Sequence, residues 1–177
     1  QVDAATGDDN VVIGHSAGYT LNSGTENVLI GNNAGKLLNN DHYSVFVGQN
    51  AGQYHAGGSQ TFVGFNAGSG SAPHGSSTNN TAVGYDALRG IHNGTDNTIV
   101  GSYAGTAITG SNGNTIVGKS AGNAMTATNS YNTLIGFEAG QVLTVGGESN
   151  TCIGAGAETP SATSDFSTTI GAGAVGI

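Results

Sequence analysis

The stretch Gly113 to Ser120, GNTIVGKS, fits the nucleotide-loop pattern G-x-x-x-x-G-K-[ST] letter for letter. A phosphate-binding loop leaves a buried strand, wraps its backbone N–H groups around the phosphates and enters a helix after the lysine. Here Asn114, Thr115, Ile116 and Val117 are β-formers where a loop is needed, and SAGNAMTATNS makes a poor amphipathic helix. Other residues with chemical potential read the same way. Asp86 with Asp96, and Glu138 with Glu148, could be drawn as carboxylate pairs for glycoside cleavage, but isolated surface acids explain the same letters. Ser16 and Ser120 lack the partners of a nucleophilic serine, and Cys152, the single cysteine, reads as a small buried hydrophobe. The five histidines (His15, His42, His55, His74, His92) read as solvated loop or surface residues. No metal, cofactor or enzymatic activity is expected.

What overrides the octet is that it recurs without its lysine. An Ile or Val followed by glycine occurs at Gly14, Gly31, Gly48, Gly64, Gly84, Gly101, Gly118, Gly136, Gly154 and Gly171, at spacings of 16 to 20 residues centred on 17. Lys119 occupies a position filled elsewhere by His15, Asn32, Gln49, Phe65, Tyr85, Ser102, Phe137 and Ala155. The unit is N-T-x-[IV]-G-x-x-A-G-x-x-[LIM]-x-x-G-x-x, and such self-similarity is the mark of a repeat architecture. Its alanine is present in every unit, from Ala17 to Ala174, which indicates a place without room for a larger group. Before each strand stands Asn10, Asn27, Ser44, Gln60, Asn80, Asn97, Asn114, Asn132, Asn150 or Ser167, polar side chains able to bond their counterparts one coil above and below.

Composition agrees with a stack of thin coils. Glycine supplies 32 of 177 residues, tryptophan is absent and only 8% are charged, so neither a helical bundle nor a charge-driven disordered tail fits. A solenoid needs no thick core, because its core grows with the number of coils. The formal charge of −8 with three basic residues (Lys36, Arg89, Lys119) argues against nucleic acid and an anionic membrane surface as partners. No segment has the run of apolar residues that inserts in a membrane. Residues 1–9 read as a lead-in from a longer chain, and residues 10–177 as one repeat domain.

Successive strand residues face opposite ways, and in each unit the Ile/Val and the residue before it are both apolar as a rule. One face fills the coil; the other needs an outside cover, for which a second copy of the chain is the simplest candidate, with two or three copies both compatible. Units such as NTIVGKSAG, NTLIGFEAG, NTCIGAGAE and STTIGAGA resemble the head repeats of trimeric autotransporter adhesins, and also the N-T-x-[IV]-G-x-x-A-G repeats of phage tail-fibre proteins. The resemblance runs from Asn10 onward, with coils longer than those common in adhesin heads. It implies an all-β, parallel, left-handed β-roll of about ten 17-residue coils assembled as a homotrimer. It further implies an extracellular fibre or adhesin on a virion or bacterial surface, whose partners are itself and a cell-surface glycan or protein receptor.

Recognition is expected where the period breaks. The longest unit, 20 residues, carries its excess in Ser69 to Asn79, a corner with Pro73 and His74 and no apolar column to bury; Thr126 to Tyr131 and Thr144 to Ser149 are the next variable corners. Tyr85, Tyr103 and Tyr131 are candidate surfaces for stacking a sugar ring. An alternative starts from the column Thr61, Thr81, Thr98, Thr115, Thr133, Thr151 and Thr168, which on a flat, water-facing sheet could order ice-like water. Threonine gives way to Val11, Val28 and Val45 in the first units, an interchange that suits a buried or interface position instead. A further alternative is a structural shaft whose binding domain lies elsewhere.

Overall fold

A computed structural model describes residues 7–71 and 75–177. Each unit opens with a three-residue strand, since a β-branched or aromatic run there ends at glycine. These strands are β1 (Val11–Ile13), β2 (Val28–Ile30), β3 (Val45–Val47), β5 (Thr61–Val63), β7 (Thr81–Val83), β8 (Thr98–Val100), β9 (Thr115–Val117), β10 (Thr133–Ile135), β11 (Thr151–Ile153) and β12 (Thr168–Ile170). Two shorter strands, β4 (His55–Ala56) and β6 (Gly75–Ser76), pair with each other beside the main sheet. The ten longer strands form one parallel sheet in chain order, each coil laid on the one before. Like pairs with like: Thr98, Ile99 and Val100 lie against Thr115, Ile116 and Val117. Register survives the longest unit, where Thr61, Phe62 and Val63 meet Thr81, Ala82 and Val83. The chain is a parallel β-solenoid, as its period predicts.

The strand-ending glycines set the vertical packing. From Gly14 to Gly171 their φ angles lie between +132° and +142°, a region nearly closed to residues with a side chain. Added bulk has nowhere to go either, because a Cβ on Gly118 would overlap the carbonyl oxygen of Gly136 directly above. After this glycine the chain turns sharply, with the Ala104 N–H donating to the Gly101 carbonyl at 3.2 Å and the Ile108 N–H to the Gly105 carbonyl at 3.2 Å. Between the turns, Gly105 N–H donates upward to Ala121 C=O at 3.0 Å, so the backbone ladder continues beyond the sheet.

Three side-chain columns fill the interior. The middle strand residue points inward (Leu29, Phe46, Phe62, Ile99, Ile116, Leu134, Cys152), beside the alanine column and the column of Leu21, Leu38, Ile91, Ile108, Met125 and Leu143. Phe46 and Phe62 stack with centroids 5.1 Å apart. One coil solves the packing differently. Where seven of the other units have a glycine close to core side chains, as Gly68 is to Phe62, the fifth coil has Leu88, fully buried at φ 51°. Its strand supplies Ala82, so the leucine fills the room that a larger strand residue would take.

The polar corner is bonded from coil to coil. Asn97 donates through Nδ2 to Asn80 Oδ1 at 2.9 Å and to Ser111 C=O at 2.8 Å. Its own Oδ1 accepts from the backbone N–H and Nδ2 of Asn114, both at 3.0 Å. Asn132 and Asn150 repeat the arrangement, and every one of these amides is buried. Burial of an amide is tolerated only with its partners in place, which this ladder supplies.

Gly118→Ala is expected to lower unfolding free energy by about 3 kcal/mol through overlap and backbone strain together. Gly146→Ala, at φ 75° but with open space around it, should lose only about 1 kcal/mol. Urea titration of both variants checks the contrast. Ala82→Ile and Leu88→Gly should each destabilise alone and rescue one another when combined, with a coupling of about 1–3 kcal/mol in a double-mutant cycle.

Candidate functional site

The outward face of the sheet runs across all ten of its strands. With the middle strand residue inside, its two neighbours must point out. The column next to the glycines is apolar along its whole length: Val83, Val100 and Val117 are 36% exposed, and Ile13 and Ile170 at the two ends 58% and 69%. The parallel column is Val in the first three coils and Thr in the other seven, with Thr98, Thr115 and Thr168 exposed. Neither column holds a charged residue. The Thr/Val interchange thus marks a column that a single chain leaves exposed or half-buried, not one inside the coil.

Aromatic residues flank this face. Phe65 and Tyr85 follow their strand-ending glycines and stack at 5.1 Å with 12° between planes; Tyr103 meets Tyr85 at 5.2 Å and 61°. The Tyr103 phenol, and after it the Asp86 carboxylate, push the Tyr85 pKa up. Asp86 in turn accepts from Asn66 Nδ2 at 2.8 Å and lies 3.7 Å from Arg89. It ends a second amide ladder, Asn33 to Asn50 at 3.1 Å and Asn50 to Asn66 at 3.0 Å. Lys119 sits 5.9 Å from the Phe137 ring centre. Of the expected recognition residues, then, Tyr85 and Tyr103 come together, as a ridge of mutually packed rings in which Phe65 covers one face of Tyr85. Tyr131 lies apart, in the position before the Asn ladder, 63% exposed with its ring over Gly113. Pro73 and His74 lie outside the described residues.

The octet that resembles a nucleotide loop is an ordinary coil. Asn114 belongs to the buried ladder, Thr115–Val117 is β9 and Ser120 takes the left-handed turn conformation at φ 58°. Cys152 is buried, and loss of hydration, followed by the nearby Glu158 charge, pushes its thiol up to about 11. Asp96 accepts from Asn79 Nδ2 at 3.0 Å, within a coil-to-coil contact of its own. Among the described residues no group of three or more His, Cys, Asp or Glu converges as a metal site would require.

One expectation about the corners needs correction. His55 is not a solvated histidine: it is 1% exposed, packed edge-on against Phe46 and Phe62. The signal was its place seven residues after Gly48, the position that holds Leu or Ile in most units, which calls for burial. The Ser69 to Asn79 corner has no apolar column among its described residues, yet part of it is buried. Ser69 and Ser77 are buried, and Gly75–Ser76 forms the strand β6 that pairs with β4. Polar residues do here what apolar residues do in other coils, which no hydrophobic pattern reveals. Thr126 to Tyr131 and Thr144 to Ser149 form adjoining parts of one surface, joined by Thr126 Oγ1 to Thr144 C=O at 2.7 Å and Ser149 N–H to Ser130 C=O at 3.0 Å. Two coils separate them from the longest corner.

No helix among the described residues is long and apolar enough to cross a membrane. No protein-family model, curated protein or solved structure gives a significant match to the chain.

Proposed function

We propose that this chain is a non-enzymatic segment of an extracellular fibre or adhesin, assembled as a homotrimer through the outward face of its sheet and serving attachment to a cell surface. The observation that carries the reading is the uncharged strip of Ile/Val and Thr/Val residues running the length of the solenoid. In a chain of net charge −8, a long surface free of acids is where a second copy meets no repulsion. Ten strands at about 4.8 Å make a face about 45 Å long, and with its bordering residues it is about 17 Å wide. The resulting area, about 750 Å² per copy, is shared between two neighbours in a trimer, so each pairwise contact is about half of the ~800 Å² per partner usual in stable protein interfaces and the assembly holds through three such contacts at once. Three such narrow strips facing a common axis give a closed apolar centre and leave the corners outside, free for a receptor glycan or protein. The likeness of the units to adhesin-head and tail-fibre repeats supports the same reading of origin, on a virion or a bacterial surface.

Water-ordering is the second reading. It is favoured by the in-register, outward threonines of the last seven coils. Freezing-point hysteresis by the wild type, abolished by Thr115→Leu, would establish it in place of assembly.

Sedimentation equilibrium at micromolar concentration is expected to give three times the 17.3 kDa chain mass. Val100→Asp with Val117→Asp should break the assembly while a β-rich circular dichroism spectrum persists, because both side chains lie outside the coil; a stable wild-type monomer refutes the assembly. For attachment, a variant with residues 71–74 replaced by Gly-Ser, which leaves β6 and Ser77 in place, is expected to lose binding in a whole-cell or glycan assay while remaining trimeric. Unchanged binding would move recognition to another surface, and no binding by either protein would leave this segment as shaft.

A further inference from the structure

The core column seven residues beyond the glycine holds Leu21, Leu38, Ile91, Ile108, Met125 and Leu143, all buried, and His55 stands in the same column. Its ring meets Phe46 at 6.2 Å and Phe62 at 5.1 Å, nearly perpendicular to both. Its Nε2 lies 3.1 Å from Oγ of Ser77, itself fully buried. Ser77 comes from the longest corner, and its N–H donates to the Ala56 carbonyl at 3.3 Å, next to the β4–β6 pair. The third and fourth coils are therefore clipped together here through an imidazole, where their neighbours use aliphatic contact.

We propose that His55 is an acid-sensitive latch, holding the corner of the fourth coil against the third when neutral and releasing it when protonated. A neutral imidazole suits this place, being flat, partly apolar and able to bond the serine. An imidazolium does not, since a charge among two phenyl rings is costly without a carboxylate beside it. None faces it: β3 and β5 present Phe46 and Phe62, the β6 corner presents Ser77, Tyr54 precedes it in the turn before β4, and no charged group shifts its pKa. Burial, opposed by a hydrogen bond to the Ser77 backbone, lowers the pKa to about 4 from the ordinary 6.5. The closed form thus binds its proton less readily than the open form. The latch keeps its full strength above about pH 6.5 and loses it progressively as pH falls toward 4. Release need not unstack the main sheet, because the corner is tied to the third coil by the separate two-residue pair β4–β6. At pH 5 the opening equilibrium should stand about 30-fold above its value at pH 7.5.

Hydrogen exchange on the full chain, corrected for intrinsic rates at pH 5 and 7.5, tests this at the Ser77 amide, with the Thr115–Val117 amides of β9 as reference. The wild type is expected to lose protection at Ser77 about 30-fold in acid with β9 unchanged, and His55→Leu to lose less than about threefold. An equal loss in the variant, no loss in the wild type, or an equal loss at β9 would overturn the proposal. Should His55→Leu fail to fold, His55→Met, a side chain this column holds at position 125, takes its place. Proton NMR of the His55 ring adds a direct reading: a midpoint near 4 is expected, and one near 6.5 would also overturn the latch.

Discussion

At the end of each strand, the carbonyl of one glycine fills the space where the glycine of the preceding coil would carry a side chain. That close approach is possible only in register, so it fixes how one coil lies on the next. Everything else is arranged around it. Strand pairing is like on like because the glycines superpose, and the inward columns repeat because the strands do. Units of 16 to 20 residues must reach the same glycine after one turn, and the surplus is expelled where nothing superposes, into the corner before the Asn ladder.

A coil this thin has little apolar matter to bury, and the molecule meets that limit in two ways. It treats amides as core: Asn80, Asn97, Asn114, Asn132 and Asn150 are all buried, each donor and acceptor meeting a partner on the next level or in the neighbouring corner. A ladder of this kind is cooperative, since the carbonyl that accepts from one asparagine belongs to an amide already polarised by the coil below. It also conserves volume locally, as where Leu88 replaces a glycine and Ala82 a large strand residue. Sequence variation is absorbed between columns within a coil, so the outline that the next coil must match stays the same.

Much of this was legible in the letters. The Ile/Val-Gly period located all ten strands, the Asn column announced the polar corner, and the invariant alanine announced a tight interior. The glycines gave no hint of whether space or φ excluded other residues; both do, and only the path of the neighbouring coil shows it. His55 and Ser77 escaped because burial was read from hydrophobicity, and a histidine paired with a serine from the next coil carries no apolar signal. Tyr85 and Tyr103 were recognisable as surface aromatics, but the ridge they form also includes Phe65, which stacks on Tyr85 from the same column one coil away. The outward direction of the Ile/Val and Thr/Val columns follows from strand alternation alone.

The hydrogen bonds between coils run along the long axis of the solenoid, from the Gly118 N–H to Val100 and from Thr115 to Asn132. Tension applied along that axis would pull every interface between coils in series, and within one interface all the bonds would share the load at once. The strength of such a rod is then that of its weakest interface and does not rise with length. Near the third and fourth coils the Asn ladder is interrupted by Ser44 and Gln60, with a contact of 3.4 Å between them in place of paired amide bonds. Under stretching that level would part first, beside the histidine clip that spans the same coils, leaving the longer run of asparagine-bonded coils above it whole.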